Sequence, residues 1–188
     1  MSDTFLTIST RAESLYKEKN SKFLAFAMPV SSEEEVKTRV QEFKKEYFDA
    51  QHVCYAFIIG ANKELYRGHD AGEPSHTAGD PILHAIRSLN LTNVLVVVVR
   101  YFGGTKLGVG GLISAYREAA DDVLKNATIV EDSEKEIVTV HFRYEQMNIV
   151  MKLLKELEVE FIKQELGQQC RIVVSVRTSR MKKLEKYL

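Results

Sequence analysis

Apolar and polar positions follow three rhythms along this chain, and each rhythm predicts a different element. Up to about residue 30, short β-prone runs (TFLTIS, SLY, KFLAFAMPV) are split by charged breaks such as Lys17-Glu18-Lys19-Asn20, which predicts strands. Pro29 and Ser31-Ser32 then end a strand and start a helix. Either serine can cap it, Glu33, Glu34 and Glu35 suit its positive end, and Val36, Val40, Phe43 and Tyr47 recur at helical spacing. Residues 52–59 (HVCYAFII) read as a strand and ANKELYRGHDAGEPSH as a polar loop. Residues 77–89 read as a helix. Thr77 is its expected N-cap, Asp80 and Pro81 suit its first turn, and Ile82, Leu83, Ile86 and Leu89 form its apolar face. Residues 95–99 are an unbroken, mostly β-branched run, as expected of a strand buried on both faces. A Gly-rich loop follows, then a helix from Gly110 or Gly111 to Leu124.

The pattern resets at 126–135 (NATIVEDSEK), which is polar and acidic. It divides the chain into a domain over 1–128 and a smaller one over 134–188. The second reads as strand 137–143, helix 145–157, strands 159–163 and 170–176, and a basic helix from Ser179. A βαββαβ split unit calls for one more strand. The smaller domain is therefore a βαββα version or a truncated one. Together the two halves predict an α+β fold.

Composition narrows the partners. Lys plus Arg equals Asp plus Glu at 26 each, so the chain is not a globally basic nucleic-acid binder, although a local basic patch is compatible with it. Residues 131–160 carry eight acidic and four basic side chains, and 161–188 carry two and seven, which draws basic charge toward the C-terminal segment. Cys54 and Cys170 lie in strand-like runs without a CxxC pair, as expected of buried thiols in a reducing cytosol. The first residues lack the charged and apolar regions of a signal peptide. The longest apolar run, Val94–Val99, is too short to span a bilayer. These features predict a cytoplasmic protein with no membrane partner.

Five of the ten glycines fall between Gly103 and Gly111, directly after that apolar run. The dinucleotide fingerprint fails because Ile113 stands three residues after Gly110. The P-loop pattern from Gly103 fails because Val109 stands where lysine is required. The general chemistry remains: a glycine run entering a helix exposes N–H groups at a positive dipole end. Arg100, Gly103, Gly104, Lys106, Gly108, Gly110, Gly111, Ser114 and Arg117 form the candidate anion or nucleic-acid site. Gly110 and Gly111 are expected to permit close helix packing, while Gly103, Gly104 and Gly108 leave donors open. The alternative is a tight crossover with no ligand.

The second polar cluster contains His69, Asp70, Gly72, Glu73, Ser75 and Thr77. Its histidines and acids lack catalytic-zinc spacing, and Ser75 lacks a nucleophile elbow, so no metal, cofactor or catalytic residue is expected. It also reads as a turn-rich loop with Gly72 and Gly79 at positive φ and Thr77 capping.

Two segments in order, GEPSHTAGDPIL and then VVVVRYFGGTKLGVGGLISAY, resemble the IMPACT / YigZ family. The match covers about residues 10–125. Ala71 departs from a position where an acid is common, and His76 from one where glycine is usual. The resemblance implies an N-terminal α/β sandwich similar to domain 2 of small-subunit ribosomal protein five. It also implies a ferredoxin-like βαββα domain similar to the last domain of elongation factor G. Eukaryotic members, by the same resemblance, act in translational control by competing for a partner of a stress kinase. The expectation is a translation-associated regulatory factor that binds RNA or the ribosome, with Tyr101 and Phe102 available for stacking and Arg177, Arg180, Lys182, Lys183 and Lys186 for phosphates. Two other readings stay open: a small enzyme on a phosphorylated metabolite or nucleotide, with Asp70 or Glu73 as base or magnesium ligand, and a protein-interaction module.

Overall fold

A computed structural model describes residues 3–187. The fold is α+β and falls into two compact units. The larger is Phe5–Asp132, and the smaller takes Ser133 onward together with the residues ahead of Phe5.

The larger unit is built on a five-stranded antiparallel sheet. Its strands are β2 (Ala12–Glu18), β3 (Ser21–Pro29), β4 (His52–Ile59), β5 (Leu65–His69) and β6 (Val94–Tyr101), in the order β2-β3-β6-β4-β5. β6 is the central strand, and Val94 through Val99 are all fully buried, which accounts for its unbroken apolar run. Alternate residues of β6 feed two cores. Val94, Val96 and Val98 face α2 (Gly79–Ser88) and α3 (Gly108–Asn126), while Leu95, Val97 and Val99 face α1 (Glu33–Glu46). α1 forms as its sequence predicts. The Ser32 side chain accepts the Glu35 N–H at 3.2 Å, the Ser31 N–H donates to Glu35 at 2.9 Å, and Val36, Val40 and Phe43 are buried. β2 and β3 are joined by a tight turn with Lys19 and Asn20 at φ 46° and 66°.

Several boundaries differ from the sequence reading. The polar loop contains strand β5, an edge strand paired with β4. The acidic segment 126–135 contains strand β7 (Ile129–Ser133), which pairs with β1 (Thr4–Ile8). α3 begins at Gly108, earlier than expected.

The smaller unit runs β8 (Lys135–Arg143), α4 (Met147–Glu156), β9 (Glu160–Glu165), β10 (Gln169–Arg177) and α5 (Met181–Glu185), a βαββα order. Its antiparallel sheet is ordered β8-β10-β9. Alternate residues of β10 (Cys170, Ile172, Val174, Val176) join Val140, Phe142, Leu154 and Leu184 in one core. Two of the basic residues near its end are already paired. Arg177 binds Asp3 at 2.9 Å, and Arg180 reaches the Leu157 carbonyl and Glu158. Among the described residues no helix is long and apolar enough to cross a membrane.

Candidate functional site

The loop between β5 and α2 folds over one end of the sheet and is fastened there by Glu73. This carboxylate is buried and bonded from three elements. Arg100 at the end of β6 donates through Nη1 to Oε2 at 2.7 Å and Oε1 at 2.9 Å. Tyr116 of α3 donates its hydroxyl to Oε2 at 2.7 Å. His52 at the start of β4 places Nε2 2.9 Å from Oε1. The other His52 ring nitrogen lies 2.8 Å from the Ala71 carbonyl, so both are used within the protein. The Arg100 and Glu73 side chains are only 6 % and 4 % exposed. A pair so far from water needs a full set of partners. Arg100 also lies 5.6 Å from the ring centroids of Phe23 and Phe102, and its Nε is buried without a hydrogen-bond partner among the described residues.

Cys54 packs under the same network. Its thiol donates to the Asp70 carbonyl at 3.1 Å and lies 3.4 Å from the Tyr116 hydroxyl. Burial pushes the Cys54 thiol up to about 12 and raises the Tyr116 phenol as well. Both groups are held in their neutral forms, and Cys54 is fully buried in the core.

Asp70 performs the capping expected of Thr77. Its Oδ1 accepts the N–H groups of Ala78 (3.1 Å) and Gly79 (2.9 Å), and its Oδ2 accepts that of His76 (2.9 Å). Burial alone would raise this carboxyl, but the three N–H bonds outweigh it and hold the pKa below the ordinary value. Thr77 is instead buried and donates to the Pro74 carbonyl. Gly79 is not at positive φ. It packs backbone to backbone on Gly68, where a methyl group would lie 2.6 Å from the Gly68 carbonyl carbon. Gly72 does take φ +86°. His76 takes φ +67°, the physical reason a glycine suits that position, and its ring bonds Asp80 at 2.7 Å.

The glycine loop divides its roles differently from the sequence reading. Gly103 is the close-packed one: a methyl group there would lie 2.1 Å from the Asn20 carbonyl carbon. Gly104 and Gly108 take φ +88° and +74° with open space around them, and Gly110 is also open. Gly111 lies against Leu107. α3 starts without a side-chain cap and without an acid in its first turn, in contrast to α2. Lys106 and Ser114 are exposed, and Arg117 is half-buried and paired with Asp121 at 3.1 Å. Gly104, Lys106, Gly108 and Gly110 are thus each open to solvent. Arg100, expected among the anion contacts, is instead buried and committed to Glu73. His69 and Ser75 are exposed members of the neighbouring loop.

The sequence model of the Impact N-terminal domain matches residues 19–124, a stretch that holds both loops and the Glu73 network. The chain belongs to the IMPACT family. The IMPACT family member YvyE of Bacillus subtilis (strain 168) is 34 % identical over 156 residues, 83 % of this chain and 72 % of its own length. An IMPACT family member of Thermus thermophilus is 48 % identical over 107 residues, 57 % of this chain and 56 % of its own. Among solved structures, the crystal structure of a hypothetical protein superposes with a TM-score of 0.75 at 25 % identity, covering 97 % of this chain and 90 % of that one.

Sequence reasoning names Asp70, Glu73 and Arg100, in two separate clusters, and misses His52 and Tyr116 as partners of Glu73 and Cys54 as their neighbour. His52 and Tyr116 read locally as a strand residue and a helix residue. Their meeting at Glu73 spans 21 and 43 positions of sequence, with no local signal. Among the described residues no group of three His, Cys, Asp or Glu is placed to hold a metal ion.

Proposed function

We propose that this IMPACT-family protein is a cytoplasmic, translation-associated regulatory factor that binds RNA or the ribosome through the rim of its glycine loop. The family resemblance supplies the translational setting. The observation that carries the binding reading is the uncapped start of α3. Its glycines at 104, 108 and 110 have nothing packed over them, and the exposed Lys106 lies two residues before the helix. Free N–H groups at a positive dipole end beside a cation make a phosphate cradle. The neighbouring start of α2 offers no such place, because Asp70 already occupies it. Ser114 and Arg117 extend the same rim along α3. The smaller unit, taken as the ferredoxin-like domain, adds Lys182, Lys183 and Lys186 as phosphate contacts.

The enzymatic reading has less support. It would use Asp70 or Glu73 as base or magnesium ligand, but Glu73 is buried and bonded to Arg100, Tyr116 and His52, and Asp70 already accepts three backbone N–H groups. The test is binding of a labelled RNA to the full chain at two salt concentrations. Lys106→Glu with Arg117→Glu should weaken binding and flatten its salt dependence by roughly 0.7 to 0.9 in log–log slope for each phosphate no longer neutralised. Unchanged affinity and slope in that variant would refute the cradle.

A further inference from the structure

The sheet face that carries α1 is not fully covered. α1 packs on β4 and meets Phe26 of β3 through Phe43, and toward the corner at β2 and the end of β6 the cover thins: Leu24 and Tyr101 are half-buried. There Leu15 is 51 % exposed, and Phe102, 46 % exposed, follows the end of β6 with its ring near the Arg100 guanidinium. A hollow of about 500 Å³ opens at this corner, lined by Leu15, Asn20, Lys22, Leu24, Tyr101 and Phe102.

The strand register makes the corner an ordered array. Lys17 pairs with Lys22, and Lys22 with Tyr101, so two ammonium groups and a phenol form one row across three strands. Leu15, Leu24 and Val99 form the row behind it. Like charges directly opposite on one face destabilise a hairpin. Neither lysine is relieved by an ion pair among the described residues. Asp49 accepts the Tyr101 hydroxyl at 2.8 Å. Phe102 is exposed, but its backbone is fastened and its ring has a cationic neighbour. Its N–H donates to Gln51 at 2.8 Å, the Arg100 guanidinium lies 5.6 Å from its ring centroid, and the adjoining Gly103 is seated on the Asn20 backbone.

We propose that this corner is a stacking platform for single-stranded RNA. Unstacked bases lie on Phe102 and Tyr101 above the leucines, and Lys17 and Lys22 neutralise the phosphates between them. An aromatic surface interleaved with free lysines has the chemistry of sequence-tolerant single-strand binding. The charge complementarity favours a polyanion, and the rings favour one with flat, unpaired bases. The inference rests on the RNA reading above and extends it: the glycine rim holds a phosphate at one side of Phe102, and the platform receives the adjoining bases at the other.

The test is fluorescence anisotropy of a short labelled oligouridine with the full chain at two salt concentrations, with Phe102→Ala and Lys17→Glu as variants. Lys17→Glu sets an acid opposite Lys22 and so favours the hairpin. A loss of binding with an unchanged or raised melting temperature therefore reports the site and not unfolding. Phe102→Ala should weaken binding about tenfold, and Lys17→Glu should reduce the log–log salt slope by about 0.7. Variants that bind like wild type, while Lys106→Glu weakens binding, overturn the platform and leave the glycine rim standing. Wild type that binds no RNA at low salt overturns both. A duplex held as tightly as the single strand, or an acidic peptide that displaces the RNA equally well, also overturns the platform, since neither offers unpaired bases to stack.

Discussion

Nη1 of Arg100 lies 2.7 Å from one oxygen of Glu73 and 2.9 Å from the other, and the two residues are 27 positions apart in sequence. This bond fastens the polar loop to the central strand. Removing one partner leaves the other charge buried and alone. Glu73→Ala should therefore destabilise the larger unit by about 3–5 kcal/mol. Urea denaturation monitored by circular dichroism measures it. A loss below about 1 kcal/mol would mean that the network is not a structural clasp.

The Asp70 cap carries a pH signature. Its carboxyl is held below the ordinary value by N–H groups that favour the charged form. A depressed folded pKa stabilises the protein above the ordinary carboxylate range, and that contribution is lost as pH falls through the folded value. Asp70→Asn, whose amide NH2 cannot accept the His76 N–H, should cost about 1–3 kcal/mol at neutral pH. The gap to wild type should close as the pH is lowered through the acid range. A gap that stays constant or widens on acidification would contradict the assignment.

His76 sits in the left-handed region at φ +67° on an exposed turn. Glycine adopts that conformation without the side-chain penalty of about 1 kcal/mol. His76→Gly should raise the melting temperature modestly, even though the bond to Asp80 goes with the ring. A fall would show that the His76–Asp80 pair outweighs the backbone strain.

Glycines of one loop should respond in opposite ways. Gly103→Ala forces a methyl group into the Asn20 backbone and should cost about 1–3 kcal/mol or more. Gly110 lies inside α3 with open space around it, so Gly110→Ala should stabilise by about 0.5–1 kcal/mol. The same Gly110 variant should bind RNA less well, because the added methyl group stands where a phosphate approaches the backbone. Thermal melts and the anisotropy titration on one preparation separate the two effects.

What can be read from the chain is what local pattern encodes. The β6 run, a serine cap at Ser31 or Ser32 and the apolar face of α1 follow from spacing and propensity alone, and the structure contains all three, with Ser32 as the cap. β5 is hidden because LYRGH is an exposed edge strand carrying the glycine on which Gly79 packs, so it shows no apolar alternation. β7 is hidden because IVEDS is acidic and takes its place by pairing with β1, more than a hundred residues away. For the cap of α2 the sequence offers Thr77, the nearest hydroxyl, whereas the acceptor is Asp70, eight and nine residues ahead of the N–H groups it receives. The glycine cluster is visible as a cluster. Which glycine touches backbone and which faces open space depends on the β2–β3 turn, a distant partner that no window of the sequence contains.

The Glu73 clasp also sets how this protein can change its length. One carboxylate must reach β4, β6 and α3 at once, so the stretch from Asp70 to Gly79 works as a ruler, and one inserted residue would pull its mark off all three. A side chain added at Gly104 would meet nothing, and residues inserted after it would project into solvent, clear of the Gly103 contact with Asn20. Two adjacent loops thus have opposite tolerance for growth, and a lineage that needs a longer arm or a new surface has only one place among them to add it.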